Sequence, residues 1–119
     1  MLEIMQDLPE NIVGVTASGM VTKEDYDNVL VPAIEDKIQK YEKIRFLYYL
    51  GKEFKDFTRE AMLEDAIVGI RHITAFEKIA VVSDEDWVIN AVKMFKFLMP
   101  CPVKTFSNEE LSEAKAWIE

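Results

Sequence analysis

Lys78-Ile79-Ala80-Val81-Val82-Ser83-Asp84-Glu85-Asp86-Trp87 changes its periodicity midway, and that change decides the fold class. The run Ile79 to Val82 is apolar at every position. A strand reads this way when a parallel sheet is covered on both faces. Ser83 with Asp86 three residues on then matches a capping box, which predicts a helix from here to about Leu98. On a wheel at about 100° per residue, Met94, Trp87, Leu98, Ala91, Phe95, Val88 and Val92 form a core-facing arc of about 160°. Ile89 and Phe97 fall outside that arc, among Asn90, Lys93 and Lys96. Strand followed by helix is the unit.

The same unit recurs on either side. Downstream, Val103 to Phe106 is a short strand, and Ser107 with Glu110 opens a last helix carrying Leu111, Ala114, Trp117 and Ile118 on one side. Upstream, Ile44 to Leu50 is a strand rich in aromatic and branched residues, which Gly51 is expected to close. A charged loop should follow. Thr58 then caps a helix with Met62, Leu63, Ala66, Ile67, Ile70 and Ile73 as its inward face. Further back, Thr22 and Asp25 approximate a capping box for a helix reaching Tyr41, with a kink expected at Pro32 because its missing amide cannot bond Asn28. Met1 to Gln6 and Ile12 to Thr16 are strand candidates around a hairpin loop at Asp7 to Asn11, and Gly19 marks a turn. The predicted order is ββαβαβαβα, an α/β fold with a mixed, mostly parallel sheet and its first strand antiparallel at an edge. No repeat or linker divides residues 1–119, which read as a single domain.

A family resemblance rests on this succession. Gly19-Met20-Val21-Thr22-Lys23-Glu24-Asp25-Tyr26, Leu30-Val31-Pro32, Ala80 to Trp87, Val103 to Phe106 and Ala114 to Ile118 together resemble the SpoIIAA-like (STAS-type) family over nearly the whole chain. The motifs are caps and core positions rather than chemistry. The resemblance implies a superhelix of β-α units, similar in fold to STAS domains and to the lipid-binding part of CRAL-TRIO proteins. Phosphorylatable regulators of that kind carry an Asp-Ser stretch between the third strand and the second helix. This chain has Gly51-Lys52-Glu53-Phe54-Lys55-Asp56-Phe57-Thr58-Arg59 there, with Thr58 the only hydroxyl and an N-cap role sufficient to explain it.

Charge and cysteine content restrict the function. Twenty-two acidic against fourteen basic residues leave a net charge of −8, which repels phosphate backbones and anionic headgroups at long range. Nucleic-acid binding and stable membrane association are therefore not expected. The single Cys101 cannot form an internal disulfide, and there is no basic-then-apolar amino-terminal segment, so a cytoplasmic location is expected.

Catalytic constellations are missing. One His and one Cys give no local nucleophile–base pair; His72 reads as a surface imidazole and Cys101 as a half-buried loop residue. Asp84-Glu85-Asp86 suits a helix start better than a metal site. No cofactor, metal site or catalytic residue is assigned. Two surfaces remain. Lys52, Lys55, Thr58 and Arg59 form a candidate anion-binding loop at a helix start, although Glu53 and Asp56 suit ordinary salt bridging. Trp87, Ile89 and Phe97 are candidates for an interface or an apolar pocket. The resulting expectation is a non-catalytic binding or regulatory module acting through a protein partner or self-association. A homo-oligomer, in particular a dimer, is favoured because helices on one face cannot shield two apolar sheet faces. The alternative is a soluble carrier of a small apolar or lipid-like ligand.

Overall fold

The computed structural model describes residues 1–119. Its sheet runs in simple sequence order: β1 (Leu2–Ile4), β2 (Ile12–Val21), β3 (Ile44–Phe57), β4 (Phe76–Ser83) and β5 (Val103–Phe106). β1 is antiparallel to β2 at the edge, and the other pairs are parallel, with Val15 against Tyr48 and Tyr48 against Val81. The helices are α1 (Lys23–Asp25), α2 (Val31–Lys40), α3 (Arg59–Arg71), α4 (Asp86–Phe95) and α5 (Leu111–Ile118). The α/β class, the mixed sheet and the element order are as the periodicity predicts.

Several boundaries differ, each for a physical reason. The capping box at Thr22 forms, with the Asp25 amide donating to Thr22 Oγ1 and the Thr22 amide to Asp25 Oδ2. The expected kink at Pro32 takes the form of a π-helical segment, Tyr26–Leu30, in which the Val31 amide donates to the Tyr26 carbonyl. Widening the turn just before Pro32 absorbs the lost donor. Gly19 does not end β2; it sits inside the strand at φ +59°, at an irregularity in the pairing with β3. Gly51 likewise does not close β3. A Cβ there would lie 2.9 Å from the Tyr49 ring, so the glycine makes room for that ring rather than stopping the strand. Ser83 does not cap α4: its Oγ accepts from the Glu85 amide, and the helix starts two residues later than expected, with Glu85 as the flanking residue. The box of Ser107 and Glu110 does form, opening a 3₁₀ turn at Asn108–Glu110 before α5.

Because the strand order never reverses, α2, α3 and α4 lie over one face, where Ile34, Ala61, Val68 and Val88 join the larger core cluster. α5 follows β5. It crosses to the opposite face, where Ala114 and Ile118 pack with Leu47, Ala80 and Val82. Arg45 and Lys78 hold it there by donating to the carbonyls of Ile118 and Trp117 at 2.9 and 3.0 Å. These cations also complement the helix's negative end. Met5 and Leu8 cover the same face beside Gly14, whose missing Cβ would stand 2.5 Å from Leu8 Cδ1. The second sheet face, expected to need another copy, is thus covered within the chain.

Candidate functional site

The helical side of the sheet is where packing is incomplete. β3 and β4 present Phe46, Tyr48, Leu50, Ile79 and Val81 beneath α2, α3 and α4. α3 leans on α1 and the π segment, and it does not close against α4. A cleft of about 310 Å³ remains between the two helices, and 21 of its 23 lining residues are hydrophobic. Phe95 reaches over to the backbone of α3 at Gly69, where a Cβ would lie 3.5 Å from its Cζ. Met62, Ala66 and Ile70 line one wall from α3, and Trp87, Ala91, Phe95 and Leu98 line the other. Ile70 is 70% exposed, so this wall was expected to be core and is instead a rim.

One ionisable carboxyl interrupts the lining. Asp65 projects from α3, and its Oδ1 accepts from the Tyr26 hydroxyl at 2.7 Å; the Tyr26 and Tyr48 hydroxyls are 3.1 Å apart. Since Tyr26 has already donated its proton to Asp65, Tyr48 must be the donor between the two phenols. Asp65 as a residue is exposed on α3, yet its side chain is among the groups lining the cleft. Burial of the carboxyl there raises its pKa above the usual carboxylate value, while the Tyr26 hydrogen bond pulls it back in part. Burial, and then the Asp65 charge, holds the Tyr26 phenol far above its ordinary range, and burial does the same for Tyr48. Beside this triad stand aromatic rings at right angles. Phe57 meets Tyr48 at 6.1 Å and 81°, and Trp87 at 6.1 Å and 88°. Phe57 reaches the cleft only because β3 runs past Gly51.

The family model for SpoIIAA-like proteins matches residues 12–119. The chain belongs to the SpoIIAA-like family. A crystal structure from Shewanella loihica PV-4, of an uncharacterized protein of the DUF3478 family with a SpoIIAA-like fold, superposes with a TM-score of 0.81. It is 20% identical and the match covers 99% of this chain and 94% of that one, a likeness of fold alone. No protein of curated function matches this SpoIIAA-like domain.

The residues singled out from the sequence fall in different places. Trp87 lines the cleft, Ile89 is half-buried away from it, and Phe97 is 85% exposed beyond its mouth. Lys52, Lys55, Thr58 and Arg59 do not share a loop, because Gly51 to Phe57 is the continuation of β3. At about 3.3 Å per residue, extended backbone carries Lys52 well over 10 Å from the start of α3. Thr58 is occupied as an N-cap, its Oγ1 accepting from the Ala61 amide at 3.1 Å, and none of the three cations is in an ion pair. His72 is half-buried at the end of α3 with an unpartnered Nε2, not a free surface imidazole. Cys101 is half-buried, and burial raises its thiol pKa against the opposing pull of Lys43. Asp84 accepts from the Asn108 amide, and no three His, Cys, Asp or Glu side chains gather as a metal site would require. No helix is long and apolar enough to cross a membrane.

Asp65, Tyr26 and Tyr48 escaped the sequence reading. The signal was present in α3: Met62, Asp65, Ala66 and Gly69 form an i, i+3, i+4, i+7 stripe, so the carboxylate stands on an apolar face.

Proposed function

We propose that this domain is a non-catalytic binding module whose cleft between α3 and α4 holds a small apolar ligand. The supporting observation is the cleft itself: about 310 Å³ walled almost wholly by hydrophobic side chains, with a single charged side chain, Asp65, in its lining to fix orientation. On the strength of this cleft we place a ligand ahead of a protein partner, the reverse of the order drawn from the sequence. The likeness to the lipid-binding part of CRAL-TRIO proteins that the sequence resemblance implies points the same way. Gly69→Leu is the discriminating variant. Leu replaces a poor helix former, so α3 is not weakened, and its side chain enters the space below Phe95. The neutral dye Nile red should bind the unaltered chain and bind Gly69→Leu at least about tenfold more weakly, a change of ~1.4 kcal/mol. Equal binding by both would remove the cleft from consideration.

A second reading, self-association, draws on Met94 and Phe97, which are 75% and 85% exposed and lie outside the cleft lining. Apolar patches of this kind at a rim are frequent docking sites. If they pair two copies, light scattering at micromolar concentration should report a dimer, and Phe97→Glu should return it to a monomer. A monomer at every concentration would end that reading.

A further inference from the structure

Every polar atom that the triad offers to the cleft is an acceptor. Tyr26 gives its proton to Asp65 Oδ1 and Tyr48 gives its proton to Tyr26, so no hydroxyl hydrogen is left over. Asp65 Oδ2 has no donor, and the side chain takes part in no ion pair. An apolar body entering the cleft strips solvent from this carboxyl, a cost that must be offset by a donor on the ligand. A fatty acid or phosphate head would bring a second anion against Asp65 in a chain of net charge −8. A neutral hydroxyl would supply a donor but nothing that favours the ionised carboxylate over its protonated form. A protonated amine does both, and Tyr48, Phe57 and Trp87, which line the same cleft, supply aromatic rings of the kind that attract a cation. We infer that the ligand is an amphiphile with a protonated amine head set against Asp65 and an apolar body filling the space between α3 and α4. This rests on the binding function proposed for the same cleft and specifies its chemistry. At roughly 30 Å³ for a water-sized unit, the space suits an apolar body on the order of ten heavy atoms.

Calorimetric titration of the full chain with decylamine, decanol and decanoate, each below its micellar concentration, tests this. Decylamine should bind at least about tenfold more tightly than decanol, and decanoate most weakly. Asp65→Asn should erase the amine's advantage while leaving decanol unchanged. Glu35→Gln, which removes an exposed charge on α2, should preserve the ranking and so separate the Asp65 contact from general attraction to an acidic chain. The ranking is read on the unaltered protein, so it stands even if Asp65→Asn folds poorly. Equal affinities for the three ligands would overturn the amine head and leave the apolar cleft intact. No binding of any of them would overturn both.

Discussion

Val15→Asp should abolish the cooperative thermal transition. Val15 lies mid-strand in β2, fully buried, with Tyr48 of β3 in register beside it and Tyr26, Leu30 and Ile34 in the same core cluster. Ser83 is the one buried polar residue and no Lys or Arg is buried, so the new carboxylate has no buried counter-charge to meet. An unpaired buried charge costs on the order of 3–5 kcal/mol or more, against a total stability of about 5–15 kcal/mol. Val15→Thr keeps the volume and adds only a hydroxyl, so it should lose roughly 1–3 kcal/mol and still melt cooperatively. Circular dichroism melts of the two variants check this. A cooperative Val15→Asp melt close to that of the unaltered chain would mean that the helical face of β2 is wet.

The second large effect concerns the opposite face. Ile118→Ala should cost about 2–5 kcal/mol, because Ile118 is fully buried against Leu47, Ala80 and Val82 and the hole cannot be refilled at the end of a short helix. For a domain of this size that lowers the melting temperature by about 10 °C or more. The loss should be independent of protein concentration, since α5 covers this face within one chain. A loss that disappears at high concentration would show that a second copy, rather than α5, provides the cover.

Particular elements show how far the sequence could be read. The apolar run Ile79 to Val82 is β4, and the capping boxes at Thr22 and Ser107 open helical turns as expected. These succeed because each signal is local: one strand between two faces, or one hydroxyl above its own first turn. Gly19 and Gly51 misled because glycine also serves strands that bulge or carry a large neighbouring ring. The arc predicted on α4 gathered Trp87, Ala91, Val92, Phe95 and Leu98, all of which line the cleft, and Met94, which does not. Periodicity identified the face. It could not say whether that face would be filled.

By itself the sequence determined the class of the fold, the order of its elements and the family, since periodicity and caps are properties of neighbours along the chain. Two decisions belonged to tertiary structure alone. α5 packs on the back of the sheet, where Leu47, Ala80 and Val82 offer an apolar surface and Arg45 and Lys78 catch its carbonyls from strands far earlier in the chain. The gap between α3 and α4 exists because α3 rests on the π segment around Tyr26, a contact that also sets a phenol against Asp65. Tyr26, Tyr48 and Asp65 come from three separate elements, and their meeting depends on how those elements are stacked, so no local spacing could have announced it.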